Sequence, residues 1–105
     1  MVAKRQQRAH LASYRVLLAH LLKWQMQPER RSRSWAATIF RERSTIMERE
    51  VTSKGFWQMA ANHLELVYFS ARRQAARETG LPLSAFPATC PYSLEFLRDH
   101  DALPE

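Results

Sequence analysis

The chain has 105 residues, of which 46% are apolar and 25% charged, and this balance argues for one folded domain and against intrinsic disorder. Its net charge of +6 would attract a polyanion, whereas Cys90, the only cysteine, excludes an intrachain disulfide and favours a reducing compartment. The longest apolar run, residues 16–22, already contains His20 and is far shorter than the roughly 20 residues that cross a membrane, so we expect no membrane-spanning segment and a cytoplasmic protein.

The first predicted helix covers about residues 3–26. Its apolar side chains recur at steps of three and four residues, which is the spacing of one helical face. They include Leu11, Tyr14, Leu18, Leu21 and Leu22. Gln27 precedes Pro28, and a residue before proline disfavours the helical conformation, so the first helix is expected to end there.

The second predicted helix begins at Pro28 and runs to about residue 51. Proline suits the first turn of a helix, where its missing N–H is not needed, and Glu29 beside it complements the helix dipole. Trp35, Ile39 and Ile46 fall on one stripe, which we expect to face the core.

The third predicted helix lies between Gly55 and Gly80, the only two glycines, which are expected to separate and end helices. Its predicted inward stripe consists of Trp57, Ala60, Ala61, Leu64, Val67, Tyr68, Ala71 and Ala75. The apolar residues off that stripe are Phe56, Met59, Leu66 and Phe69. Because this helix is apolar around so much of its circumference, we expect it to contact more than one neighbour.

The C-terminal segment after Gly80 is rich in proline. Its prolines exclude a long helix but leave room for a short one over residues 93–98, with Ser93 as its cap. The apolar side chains between the prolines are expected to lie across the bundle as an ordered strap. The sequence therefore predicts a single all-α domain over residues 1–105, with three long helices in an antiparallel bundle and a Pro-rich C-terminal strap containing one short helix.

Two motifs resemble a known family. They are LLAHLLKWQMQPERRSRSW at residues 17–35, followed by Thr38 and Ile39, and AARETGLPLSAFPATCPYSLE at residues 75–95. In sequence and spacing they resemble the bacterial family of domain of unknown function 29, over nearly the whole chain. The resemblance implies an all-helical fold and no established activity, cofactor or catalytic set. Family members usually begin with a further acidic and apolar helical region, so the resemblance also implies surplus apolar and basic surface on this chain.

The basic residues are concentrated towards the N-terminus. Residues 1–35 carry eight lysines and arginines against Glu29, whereas residues 81–105 carry Arg98 against four acidic residues. The densest cluster consists of Arg30, Arg31, Arg33, Arg41 and Arg43. On one helix, Arg30, Arg33 and Arg41 would fall within an arc of roughly 80°, facing away from the apolar stripe.

Clustered guanidinium groups can hold phosphates. Arg30, Arg31, Arg33 and Arg41 are therefore the predicted anion-binding or nucleic-acid-binding residues, and we expect any nucleic-acid contact to be made with the backbone. The alternative is a solvated face whose arginines pair with nearby acids.

The remaining polar residues give little indication of catalysis. His20 and Lys23 share one side of the first helix, but no carboxylate lies within a turn, so a hydrogen-bonded histidine is favoured over an acid–base site. The four histidines lack the paired spacing of metal ligands, and no catalytic or cofactor-binding motif is present.

We therefore expect a small helical interaction module that self-associates or is completed by a partner helix. The alternative is backbone-directed nucleic-acid binding through the predicted arginines. An enzyme built around His20 and Lys23 ranks last, and we expect no metal or cofactor.

Overall fold

A computed structural model describes residues 3–105 of the chain as helices joined by short connections. The helices are α1 (Lys4–Met26), α2 (Arg33–Thr52), α3 (Lys54–Thr79) and α4 (Leu94–Arg98), and two short 3-10 turns cover Pro28–Arg30 and Leu83–Ala85. No strand occurs in this described part, so the predicted all-α class is confirmed.

The three long helices alternate in direction. Glu50, near the end of α2, lies 3.0 Å from His10 near the start of α1, so these two helices are antiparallel. Phe56 at the start of α3 packs on the same His10, with ring centroids 4.9 Å apart. At the other end, Lys23 of α1 lies 2.7 Å from Glu78 of α3. α1 and α3 are therefore parallel to each other, and α2 runs antiparallel to both.

The core is built around α1, which packs against both other long helices. The core residues contributed by these helices include Tyr14, Leu17, Leu18, Leu21 and Leu22 of α1, Ile39 and Ile46 of α2, and Ala60, Tyr68, Ala71 and Ala75 of α3. Small alanines on α3 let its backbone approach α1 closely. This arrangement confirms the predicted antiparallel bundle and the predicted apolar stripe of α1.

The junction between α1 and α2 differs from the prediction. Pro28 starts only a 3-10 turn, and α2 begins at Arg33. The physical reason is the hydroxyl of Ser32, which accepts a hydrogen bond from the backbone N–H of Trp35 at 3.1 Å and caps the helix there. Arg30 therefore lies outside α2, and the predicted arc of three arginines on one helix was wrong.

The junction between α2 and α3 also differs from the prediction. Ser53, not Gly55, separates the two helices, and its hydroxyl accepts a hydrogen bond from the N–H of Gly55 at 3.2 Å. Gly55 lies within the first turn of α3. The prediction for the next two residues was reversed, because Phe56 is buried whereas the Trp57 side chain is 48% exposed. Phe56 turns inwards to pack on His10, which leaves Trp57 at the surface.

The predicted end of α3 and the predicted strap are both confirmed. Gly80 ends α3 in the left-handed conformation, with φ of 75°, and the hydroxyl of Ser93 caps α4 by accepting from the N–H of Phe96 at 3.1 Å. The strap residues buried against the bundle are Phe86, Tyr92 and Leu97. Among the residues described, no helix combines the length and apolar character needed to cross a membrane.

Candidate functional site

Three of the four predicted anion-binding arginines project into solvent. Arg30 and Arg33 are exposed. The Arg41 side chain is 65% exposed and lies 3.5 Å from a carboxylate oxygen of Glu42, its neighbour in the chain. These three arginines come from two different elements, so they form a loose basic patch instead of one helical row. Nucleic-acid binding through them stays a prediction.

Arg31, the fourth predicted residue, is engaged within the protein. Its Nε donates to the carbonyl of Trp24 at 2.8 Å, and its Nη2 donates to the carbonyl of Glu105 at 2.9 Å. The guanidinium also lies over the Trp24 ring, 5.1 Å from its centroid. Arg31 therefore ties the end of α1 to the end of the chain, and two of its donor nitrogens are used for this.

Arg43, which the sequence placed in the same basic cluster, is a core residue that is only 2% exposed. Three of its nitrogens donate to strap carbonyls: Nε to Leu97 at 2.9 Å, Nη2 to Phe96 at 3.0 Å and Nη1 to Ala102 at 2.6 Å. Burial lowers the pKa of Arg43, and the nearby charges of Asp99 and Asp101 oppose that shift. Its grouping with the surface arginines was therefore wrong.

A signal for Arg43 was present in the sequence. It lies four residues after Ile39 and three before Ile46, which are both buried on the inner stripe of α2. A residue with that spacing shares their helical face. Its charge, and not its position, suggested a surface residue.

A buried polar hub around Glu50 joins α1, α2 and α4. Its Oε2 accepts from the Tyr14 hydroxyl at 2.7 Å and from His10 Nε2 at 3.0 Å, and its Oε1 accepts from Arg98 Nε at 2.7 Å. The Glu50 side chain is 7% exposed and His10 is fully buried. His10 Nδ1 is buried without a hydrogen-bond partner, which agrees with Nε2 carrying the ring hydrogen.

The electrostatics of this hub favour an ionised carboxylate. Burial raises the pKa of Glu50, but hydrogen bonds from His10, Arg98 and Tyr14 outweigh burial and hold the net pKa below the ordinary value of 4.5. Burial and the hydrogen bond to Glu50 raise the pKa of Tyr14. An ionised carboxylate whose oxygens already accept hydrogen bonds from three side chains is a poor proton acceptor. The hub therefore joins α1, α2 and α4 and is not arranged as an acid–base site.

His20 is hydrogen-bonded, as the sequence predicted, and its partner lies within its own helix. Its Nδ1 donates to the carbonyl of Val16 at 2.9 Å, and burial lowers its pKa. The Glu78 carboxylate, whose charge opposes the lowering of the His20 pKa, is paired with Lys23. Within residues 3–105, no three His, Cys, Asp or Glu side chains are grouped as metal ligands would be.

Cys90 is held as a thiol. Burial raises its pKa to about 11, and its Sγ donates to the carbonyl of Tyr92 at 3.4 Å. Because the thiolate is the nucleophilic form, this raised pKa lowers the nucleophilicity of Cys90 at neutral pH.

One uncovered apolar surface lies on the outside of α2, and we call it the α2 face. Its large side chains are Phe40, Met47 and Val51, which are 60%, 50% and 80% exposed. Beside it, a cavity of about 230 Å³ extends towards Trp57 of α3. The cavity is lined by Arg43, Ile46, Met47, Glu50, Val51, Trp57 and Arg98. The guanidinium carbon of Arg98 lies 4.7 Å from the centroid of the Trp57 ring. Because Arg98 also donates to Glu50, the hub holds the arginine that packs on this indole.

A second uncovered surface lies between the parallel helices α1 and α3, and we call it the α1–α3 groove. It has a volume of about 330 Å³. The groove is lined by Arg8, Leu11, Ala12 and Arg15 of α1 and by His63, Leu66, Val67 and Ser70 of α3. Leu66 is 72% exposed, so a large apolar side chain stands open between basic residues. The sequence had placed Leu66 off the inner stripe and predicted a further neighbour for α3.

The chain matches a known protein family. The family model described as domain of unknown function DUF29 matches residues 1–103 of the chain. No curated protein and no solved structure gives a significant match.

Proposed function

Because the chain belongs to DUF29, a family whose description assigns no function, we propose one from its surface geometry. The protein is an interaction module that binds an acidic amphipathic helix of a partner protein in the α1–α3 groove. The observation that carries this proposal is the exposure of Leu66 of α3 in a groove that is also lined by Arg8 and Arg15 of α1.

The shape of the groove suits a helix. α1 and α3 run side by side, and the apolar floor between them is formed by Leu11, Ala12, Leu66 and Val67. A third helix lying along this floor would bury apolar side chains at steps of three and four residues, as helix-in-groove complexes do. Each square ångström of apolar surface covered in this way contributes about 25 cal/mol.

The charge of the groove selects the partner. In the described chain, neither Arg8 nor Arg15 forms an ion pair with a carboxylate, and Arg15 donates only to the amide oxygen of Gln74, at 3.2 Å. Glutamates flanking the apolar stripe of a bound helix would meet these two guanidinium groups. Such charge complementarity mainly raises the association rate and disfavours basic helices, and it contributes less to the affinity itself.

The test uses two synthetic amphipathic peptides with the same leucine stripe, one flanked by glutamates and the other by lysines. We expect the acidic peptide to bind more tightly, with an affinity that falls as salt is added. The substitution Leu66→Glu should abolish binding, whereas Val51→Glu, an equally exposed position on the α2 face, should leave it unchanged.

A charge reversal provides the second arm of the test. The variant carrying Arg8→Glu and Arg15→Glu should lose the acidic peptide and gain the basic one. Equal binding of both peptides to the wild-type protein, or binding that survives Leu66→Glu, would contradict the proposal.

Backbone-directed nucleic-acid binding is the second candidate. It is favoured by the solvent exposure of Arg30, Arg33 and Arg41, which are close in sequence and donate to no backbone carbonyl within residues 3–105. We place either function in the cytoplasm, where an unpaired thiol such as Cys90 stays reduced.

A further inference from the structure

The α2 face has the spacing of a coiled-coil seam. Ala37, Phe40, Ser44, Met47 and Val51 follow one another at alternating steps of three and four residues, which is the a and d pattern of a heptad repeat. The inner stripe of the same helix buries Ile39, Arg43 and Ile46 against the rest of the protein. α2 therefore carries two apolar stripes, and the protein buries only one of them. On the outer stripe, His100 of the strap contacts the Phe40 ring, with centroids 5.4 Å apart, but leaves this ring 60% exposed.

Charged residues on one flank of this seam are self-complementary. Arg41 and Glu48 occupy successive e positions of the heptad pattern, and both are exposed. When two identical helices pack antiparallel, e positions of one face e positions of the other. Arg41 of each copy then lies near Glu48 of the other copy, and the two contacts are related by a two-fold axis.

Parallel packing would lack this match. It would place each e position against a g position, and the g positions of α2 are Ala36, Arg43 and Glu50. Arg43 is buried by the strap, and Glu50 is saturated by His10, Tyr14 and Arg98 within its own chain. The available charges therefore favour the antiparallel orientation.

The sizes of the seam residues also match in the antiparallel register. In this register each a position of one helix lies opposite a d position of the other. Phe40 of one copy is then opposite Val51 of the other, and Ser44 is opposite Met47. Each pair combines a larger side chain with a smaller one. The 230 Å³ cavity beside Val51 and Trp57 is then in position to receive the Phe40 ring of the second copy. This is a knob-into-hole contact, made twice by symmetry.

We propose that the α2 face is occupied by a second copy of this chain, with the two α2 helices antiparallel about a two-fold axis near Thr45. This inference is independent of the partner helix in the α1–α3 groove, because the two surfaces share no residue. The net charge of +6 on each copy opposes association. That repulsion is screened over about 8 Å at physiological salt, and the α2 face itself presents both signs of charge.

Sedimentation equilibrium of the full chain, from low to high micromolar concentration, tests the proposal. We expect a dimer. Met47→Glu places a carboxylate in the seam and should raise the dissociation constant on the order of 100-fold. Leu66→Glu in the α1–α3 groove is the matched control and should leave the dimer intact. Thermal unfolding followed by circular dichroism establishes that both variants remain folded.

Charge swapping tests the orientation. Arg41→Glu alone, or Glu48→Arg alone, creates two like-charge contacts in the dimer, and each should weaken it on the order of tenfold. The chain carrying both substitutions restores opposite charges and should recover the wild-type dissociation constant.

Cross-linking tests the register. In chains that carry Cys90→Ser, Ser44→Cys molecules mixed with Met47→Cys molecules should form mixed disulfide dimers, because these positions lie opposite each other only in the antiparallel register. A wild-type chain that stays monomeric, a dimer insensitive to Met47→Glu, or cross-links formed mainly between two Ser44→Cys chains would overturn the proposal. Each of these results leaves peptide binding in the α1–α3 groove untouched.

Discussion

Many of the arginines of this protein bind backbone carbonyls within it. Arg43 holds three strap carbonyls, Arg49 donates to the carbonyl of Ala9 at 3.2 Å, and Arg72 donates to the carbonyl of Phe86 at 3.0 Å. For Arg43 and Arg72 the physical cause is the proline content of the strap, since a segment broken by prolines cannot satisfy its carbonyls in a helix or sheet. A guanidinium group, with five donors and no acceptor, is well suited to satisfy them. The Ala9 carbonyl lies within α1, and Arg49 reaches it from α2. Sequence charge alone therefore overestimates the free basic surface.

The substitution Arg43→Ala should destabilise the protein by about 3 kcal/mol or more, because it strands the carbonyls of Leu97, Phe96 and Ala102 and leaves a cavity. The measurement is urea unfolding at neutral pH. Arg33→Ala is the matched control, since this exposed arginine lies on the same helix outside the proposed dimer seam, and the free energy of unfolding of this variant should stay close to that of the wild type. Equal effects of the two substitutions would contradict the role assigned to Arg43.

Glu50→Gln should destabilise the protein by about 3 kcal/mol at pH 7, because it removes a charge that Arg98, Tyr14 and His10 surround. The pKa of Glu50 is lower in the folded protein than its ordinary value of 4.5. The folded protein therefore binds the Glu50 proton less tightly than the unfolded chain does. The stabilisation by the Glu50 charge is present above pH 4.5 and is lost as the pH falls through the pKa of the folded protein.

The pH series is the measurement that checks this sign. The difference in unfolding free energy between the wild type and Glu50→Gln should be constant above pH 5 and should shrink as acid is added. A difference that grew on acidification would show that Glu50 is protonated in the folded protein.

The helices themselves were predictable, but their ends were not. The three-and-four spacing of apolar residues located every long helix, because that period follows directly from burying one face. Ser32 and Ser53 decided where α2 and α3 begin, although Pro28 and Gly55 were the more conspicuous residues. A serine cap is a weak local signal that many exposed serines share. Phe56 lies four residues before Ala60 on the buried stripe of α3, and it packs on His10 in the inward position that the spacing had assigned to Trp57.

Ser32→Ala should therefore lower the free energy of unfolding by about 1 kcal/mol, because the N–H of Trp35 loses its acceptor at the start of α2. Ser32→Asp should restore most of that stability, since a carboxylate caps as well and also complements the helix dipole. Ser34→Ala, at an exposed position within the first turn, is the control and should have little effect. A Ser32→Ala protein as stable as the wild type would mean that another residue sets this helix end.

At the scale of the whole molecule, the candidate surfaces combine features that the sequence shows and features that only the fold creates. Leu66 could be predicted to lie off the inner stripe, and its exposure follows from that position. The hub around Glu50 could not be predicted, because His10 and Glu50 are 40 residues apart and meet only when α1 and α2 are antiparallel. The α1–α3 groove likewise depends on two helices being parallel neighbours, which no local pattern specifies.

The net charge of +6 gives the last prediction, which concerns the nucleic-acid candidate. Each phosphate contact with duplex DNA contributes about −0.9 to the slope of the logarithm of the binding constant against the logarithm of salt concentration. Contacts from Arg30, Arg33 and Arg41 should therefore give a slope of about −2.7, measured by fluorescence anisotropy with a labelled duplex. Changing all three arginines to glutamine should remove most of that slope.

Arg31→Gln should leave the slope unchanged and lower the free energy of unfolding, because Arg31 holds the carbonyls of Trp24 and Glu105. A slope that persists in the triple variant would place the phosphate contacts elsewhere on the protein.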